Sequence, residues 1–225
     1  MRREPAVINS DTRLEGDKRV VPPFLKNILK KDVELTKKFV AHCLNFVQIR
    51  SFKNHCKFLE WSCHGVVWLA GLIAFTYIMG NSKLHEMEVN LFVALLIDIF
   101  AVAIIKAITR RRRPAINDDP FCIGPDMYSF PSGHASRSSM LMLFFMFLYP
   151  FPILFWPPLF AWWCSICVSR LLLYRHHILD VFAGIFLGFF EAFVMGLIWI
   201  GPEASTEFVR WISDERVAGN DAELI

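Results

Sequence analysis

Charge is scarce in this chain. Only 20% of its 225 residues are charged, and the formal net charge is +3. That is too little excess charge to suggest a nucleic-acid partner. The six cysteines (Cys43, Cys56, Cys63, Cys122, Cys164, Cys167) show no zinc-ligand spacing and no disulfide framework. Cys164 and Cys167 are spaced as a CxxC, but they lie in an apolar run, where cysteine acts as a small buried hydrophobe. No apolar stretch follows Met1-Arg2-Arg3-Glu4-Pro5, so the start is not read as a signal peptide. There is no Asn-x-Ser/Thr acceptor, so glycosylation says nothing of sidedness. Repeats and low-complexity segments are also missing.

Apolar side chains fill the space that charge leaves. The chain is 55% hydrophobic with 22 Phe and 7 Trp, and its mean hydropathy is +0.40. A typical soluble domain is about 45–50% apolar and about 25% charged. This composition excludes intrinsic disorder and points to an all-α, multi-pass transmembrane bundle.

Windows of about 20 apolar residues mark the spans. Five are expected: Trp61–Gly80, Val89–Ile108, Ala135–Tyr149, Phe155–Tyr174 and Ile178–Ile200. Pro150, Pro152, Pro157 and Pro158 make the turn between the third and fourth. Gly184 and Gly188 form a small-xxx-small spacing that permits close helix approach. Residues 1–23 are polar and read as flexible. Over 24–60, apolar residues recur at helical spacing among lysines, which reads as amphipathic helix on a membrane surface or packed on the protein itself. The expected units are therefore 1–23, 24–60, a membrane domain over 61–200 and an acidic tail over 201–225. The loop 109–130, with Asp118, Asp119 and Asp126, is the longest connection between spans and reads as solvated.

Ionisable residues at membrane depth are costly, so their positions carry information. Lys106 and Arg110–Arg113 end the second span. Phe130-Pro131-Ser132-Gly133-His134 opens the third. Ser169, Arg170, His176 and Asp180 lie at the fourth-to-fifth junction. Counting crossings puts all three clusters on one face of the bilayer. There Lys106, Arg113 and Arg170 supply cations for a phosphate. Ser132 and Gly133 precede a helix whose first amides form an anion seat. Taken as one helix face, His176 and Asp180 are four apart, so the carboxylate is expected to hold one ring nitrogen and free the other to attack. His134 is placed to protonate a leaving oxygen. This chemistry is phosphoryl transfer through a phosphohistidine, with no metal and no cofactor.

Several neighbours are set apart from that site. Arg110, Arg111 and Arg112 read as a positive flank, and His177 as an interface residue. Asp98 is expected to pair with a basic residue near Lys106. Glu191 is a second intramembrane acid, and Arg137 a candidate support for the phosphate cradle.

Lys106-x6-Arg113-Pro114, Pro131-Ser132-Gly133-His134 and Ser169-Arg170-x5-His176-x3-Asp180 resemble the three signature motifs of the type-2 phosphatidic acid phosphatase superfamily. The resemblance implies His176 as nucleophile, Asp180 as its orienting carboxylate and His134 as the acid–base residue. It implies Lys106, Arg113, Ser132, Gly133 and Arg170 as phosphate ligands. The arginine run and Tyr128–Ala135 look most similar to the polyisoprenoid (presqualene, farnesyl) diphosphate phosphatase subgroup. That implies a phosphorylated isoprenoid substrate and residence in the endoplasmic reticulum and nuclear envelope. Members commonly have six spans, and here segment 24–60 stands in the place of the first. Phosphatidic-acid-like or sphingosine-phosphate monoesters are the alternative substrates. A non-catalytic membrane scaffold and a transporter of phosphorylated lipids are the rival classes, and a homo-oligomer is a further expectation. Arg50, Lys53, Lys57, Arg110–Arg112 and Arg175 outweigh Lys83 across the bilayer, so the positive-inside rule puts the site on the cytosolic face. Many members of the family work on the lumenal or extracellular face.

Overall fold

The computed structural model describes residues 22–45, 49–114 and 127–212, and for 49–53 the backbone only. Asp118, Asp119, Asp126, Cys122, the first 21 residues and residues 213–225 lie outside the described residues. Within them, every regular element is a helix: α1 Pro23–Leu44, α2 Ile49–Ser62, α3 Gly65–Met79, α4 His85–Thr109, α5 Gly133–Leu143, α6 Trp156–Leu172, α7 Ile178–Leu197 and α8 Pro202–Ile212.

Local chemistry sets these limits. α3 ends at Gly80, whose φ of 52° suits a residue without Cβ. α4 carries Glu86 and Glu88 in its first turn and Lys106 in its last, matching the helix dipole at both ends. α5 runs into a π-helical turn, Phe144–Leu148, before the Pro150 and Pro152 turn. Pro157 and Pro158 sit in the first turn of α6, where a missing N–H costs nothing.

α5 is the hub of the bundle, packed most extensively on α7 and then on α6 and α4. The α5–α7 contact is close because α7 presents Gly184 and Gly188. A Cβ on Gly184 would meet the Ser132 carbonyl and Ala135, and one on Gly188 would meet the Ser136 carbonyl and Ser139. The expected small-residue packing is thus realised. One apolar cluster joins Leu91, Leu95, Met140, Phe144 and Met195. A second joins Val40, Ala135, Cys167, Leu171 and Val181 under α1. The outer faces keep Phe100, Ile104, Phe186, Phe190 and Phe193 more than half exposed. Such a belt suits hydrocarbon as its solvent.

The five expected spans fall on α3, α4, α5 with its π turn, α6 and α7. By length and composition, Ser82–Thr109 and Ile178–Leu197 each suffice to cross a membrane. Asn54–Ser62 and Gly65–Met79 pass only as a pair bent by 52°. Pro202–Ile212, expected in an acidic tail, is instead a helix packed on α4.

α1 departs from a simple surface helix. Its buried residues are Asp32, Thr36 and Val40, on the stripe that packs against α6 and α7. Its apolar Phe24, Leu25, Leu35 and Phe39 are exposed. The polar stripe is turned inward because it meets the open end of another helix.

Candidate active site

α4 delivers Lys106 in its last turn, 3% exposed. The chain then leaves through Arg110 at φ 49°, with its amide still bonded to the Lys106 carbonyl at 2.9 Å. The extended arginine run lies against the approach to α5. Ser129 N–H donates to the Arg111 carbonyl at 2.7 Å, and the Ser129 hydroxyl to the Arg112 carbonyl at 3.0 Å. Thr109 adds a bond to the Phe130 carbonyl at 3.0 Å. These bonds set the first motif beside the second.

Ser132 caps α5, its hydroxyl accepting from the Ala135 amide at 3.4 Å. Gly133 follows, and a Cβ there would press on Val102 of α4 at 3.2 Å. The first amides of α5 therefore open next to the end of α4. Ser132 N–H donates to the Asp180 carbonyl at 2.9 Å, which ties this end of α5 to the start of α7.

α6 brings Arg170, 1% exposed. Its Nη2 meets Glu60 Oε1 at 2.8 Å, while Nε and Nη1 are buried without a hydrogen-bond acceptor among the described residues. Its carbonyl accepts from the amides of Arg175 and His176, at 3.2 and 3.3 Å, so the loop after α6 folds back over it.

His176 is 2% exposed, and its Nδ1 lies 2.7 Å from the Ser129 carbonyl. A carbonyl only accepts, so Nδ1 carries the hydrogen. Burial, then Arg113, Arg170 and Lys106, push the ring's pKa well below its ordinary 6.5. His176 is neutral at physiological pH, with its lone pair on Nε2. Lys106, Arg113 and Arg170 all act electrostatically on this one imidazole. His134 Nε2 lies 3.2 Å from the Glu60 carbonyl, which makes that nitrogen an N–H donor.

Asp180 differs from expectation. It does not hold His176. Its Oδ2 accepts from the His177 amide at 2.8 Å and from His177 Nδ1 at 3.2 Å, and its Oδ1 pairs with Arg111 Nη1 at 2.7 Å. The i, i+4 argument fails because α7 starts at Ile178. His177 is its N-cap and His176 lies outside the helix, so the two are not on one helical face. His177 is accordingly buried, at 6% exposure. Arg111 belongs to the site's framework and not to a solvated flank.

A second polar group lies deeper in the bundle. Arg137 pairs with Asp98 at 2.6 Å and donates to the Cys63 carbonyl at 3.1 Å. The partner of Asp98 is thus on α5 and not near Lys106. Glu191 accepts from Ser136 at 3.0 Å. No cluster of three or more His, Cys, Asp or Glu able to hold a metal ion occurs among the described residues.

Three residues of the site carried no usable signal. Ser129 acts through its main chain. Glu60 and Asp32 lie near lysines in the segment before the first expected span, far away in sequence.

The model of the PAP2 superfamily matches residues 88–200, half of the chain and all three motifs. A probable lipid phosphate phosphatase beta of Arabidopsis thaliana is 34% identical over 139 residues, covering 50% of this chain and 65% of the relative. The chain thus spans just under two thirds of that relative's length. A transmembrane PAP2-type phosphatidylglycerolphosphate phosphatase from Bacillus subtilis shares the fold. Its crystal structure has a TM-score of 0.59 at 17% identity, covering 76% of this chain and 86% of the other.

Proposed function

We infer the function from one premise: the chain belongs to the PAP2 superfamily. The protein is a membrane lipid phosphatase whose reaction needs no metal. Its substrate is a polyisoprenoid diphosphate or monophosphate of the farnesyl or presqualene type. The observation that carries this reading is the geometry of His176: buried, with Nδ1 2.7 Å from the Ser129 carbonyl, which puts the hydrogen on Nδ1 and leaves the lone pair on Nε2.

The substrate's phosphate oxygens lie against Lys106, Arg113 and Arg170, at the first amides of α5 beside Ser132 and Gly133. His176 Nε2 attacks phosphorus and forms the P–N bond. The bond to the leaving oxygen breaks, and His134, charged as imidazolium when the substrate phosphate is bound, gives a ring proton to that oxygen and becomes neutral. Water then attacks the phosphohistidine while His134 takes up its proton, releasing phosphate and restoring both rings. The Nδ1 hydrogen bond to Ser129 stabilises the positive charge that His176 develops. Asp180 acts at one remove, by holding the turn that contains His176.

The isoprenoid preference rests on the arginine run and the Tyr128–Ala135 sequence. The name of the Arabidopsis relative favours the alternative, a phosphatidic-acid-like monoester. The proposal takes the site to lie at one interface of the endoplasmic reticulum membrane, on the cytosolic side by the positive-inside rule. Purified chain in detergent, offered farnesyl diphosphate, presqualene diphosphate, phosphatidic acid and sphingosine phosphate, tests the reading. Phosphate release should be fastest from the isoprenoids and equal in EDTA and Mg²⁺. Normal turnover by His176→Ala would refute the mechanism.

A further inference from the structure

α1 lies outside the residues matched to the family, yet it completes the start of α7. Because α7 begins at Ile178, the amides around its first turn have no carbonyl one turn behind them. Three side chains accept from them. Asp180 Oδ2 takes the His177 amide at 2.8 Å. Thr36 Oγ1 takes the Ile178 amide at 3.1 Å. Asp32 Oδ1 takes the Leu179 amide at 3.1 Å. Two of the three acceptors come from α1, more than 140 residues away in sequence.

The group is closed by one arginine. The Thr36 hydroxyl donates to the Asp32 carbonyl at 2.7 Å, which turns its lone pairs toward Ile178. The second oxygen of Asp32 pairs with Arg111 Nη2 at 2.5 Å, and Arg111 Nη1 with Asp180 Oδ1 at 2.7 Å. Arg111 thus spans a carboxylate of α1 and one of α7. Both ends of its fork are thus committed, whereas Arg170 has two donors without an acceptor among the described residues. Two carboxylates against one guanidinium leave a negative excess, which the positive end of α7 offsets.

The position of His176 depends on this arrangement. It immediately precedes the capped turn, and its Nδ1 must reach the Ser129 carbonyl. The Asp180 carbonyl also receives the Ser132 amide, so a shift of this turn disturbs both nucleophile and phosphate seat. A misplacement of about 1 Å can cost about 10²-fold in rate.

We propose that Asp32, Thr36 and Arg111 are positioning residues: α1 clamps the first turn of α7 and so sets the placement of His176. The proposal rests on the reading of His176 as the attacking residue. Its test compares wild type, Thr36→Val, Asp32→Ala and Asp32→Asn as full chains in detergent. Amide hydrogen exchange is followed at residues 173–181, with 89–105 as control, beside kcat and KM for farnesyl phosphate. Thr36→Val and Asp32→Ala should speed exchange at 177–179 severalfold and leave the control segment unchanged. They should lower kcat about tenfold or more and move KM less than about threefold. Asp32→Asn keeps an acceptor for the Leu179 amide and should recover part of both losses. Thr36→Val removes a single hydroxyl and decides the matter if Asp32→Ala does not fold. Unchanged exchange at 177–179, or faster exchange with unchanged kcat, would overturn the clamp. A wild-type chain that hydrolyses no lipid phosphate defeats the phosphatase reading instead, while exchange still reports on the clamp.

Discussion

Asp180 faces His177, not His176. Its Oδ2 receives both the amide and the ring Nδ1 of His177, while His176 gives its Nδ1 hydrogen to the Ser129 carbonyl. The tautomer of His176, the proposed nucleophile, is therefore fixed by a main-chain oxygen, and the carboxylate serves the turn. Asp180→Asn keeps an acceptor for the His177 amide but loses the ion pair with Arg111. It should retain measurable turnover, about 10–10²-fold below wild type, whereas His176→Ala should retain none. Single-turnover phosphate release with each variant separates the two roles. Equal, complete loss in both would put Asp180 back on the chemistry.

The state of His176 also sets the pH response. Burial and the three cations lower its folded pKa well below 6.5, so the attacking neutral ring persists as pH falls through 6. The acid limb of kcat/KM should lie well below 6.5. Arg113→Gln removes the largest of the three cationic contributions, so that limb should move up toward 6.5, alongside weaker phosphate binding. Stability follows the same sign. The unfolded chain binds the proton at pH 6.5 and the folded chain only lower, so His176 costs stability progressively as pH drops below 6.5. A pH series of melting temperatures and rate profiles for both chains checks the direction. An acid limb that does not move in Arg113→Gln would contradict the electrostatic account.

The site's inner ring was legible because membrane burial makes each charge expensive and hence informative. Lys106, Arg113, Arg170 and His176 could be assigned to one face of the bilayer by counting crossings, and the Gly184–Gly188 spacing foretold the α5–α7 contact. The framework was not legible, for two physical reasons. Where a helix begins decides which residues share its face. A start at Ile178 moved His176 off the face of Asp180. Capping and tautomer control also run through main-chain atoms and long-range partners. The Ser129 carbonyl, the Glu60 carbonyl and the Asp32 carboxylate leave no periodic mark in the residues they serve. Arg111 was misread for the same cause, since a run of arginines beside a span looks alike whether it meets water or a buried carboxylate.

The α5–α7 contact makes its own prediction. A Cβ at position 188 would run into the Ser136 carbonyl, Ser139 Cβ and the Met140 amide. These are backbone or near-backbone atoms, so the helices must separate. Gly188→Ala should destabilise by about 1–3 kcal/mol, the usual range for overpacking. Gly71→Ala is the matched control. Nothing lies within 4 Å of a Cβ there, so the better helix former should be neutral or stabilising by up to about 1 kcal/mol. Thermal unfolding in one detergent measures both, and a Gly188→Ala chain as stable as Gly71→Ala would refute the close contact.

Glu60 offers the sharpest test of how the phosphate seat is tuned. Its carboxylate holds Arg170 Nη2 at 2.8 Å, and its carbonyl receives His134 Nε2–H at 3.2 Å. One residue of α2 thus touches both Arg170, the proposed phosphate ligand, and His134, the proposed general acid. The carboxylate opposes an anionic substrate at the cation where that substrate binds, whereas the carbonyl contact survives any side-chain change. Glu60→Gln keeps the hydrogen bond to Arg170 and removes the negative charge. At an effective dielectric near 20, relief of one unit charge a few ångströms away is worth on the order of 1 kcal/mol or more. KM should therefore fall about three- to tenfold, with kcat nearly preserved because His134 keeps its partner. The gain should shrink at high ionic strength, since this side chain is only partly shielded from solvent. Steady-state kinetics of Glu60→Gln on a short-chain phosphate at low and high salt reads the effect. A raised KM at both salts would mean that Glu60 braces Arg170 for the phosphate and does not compete with it.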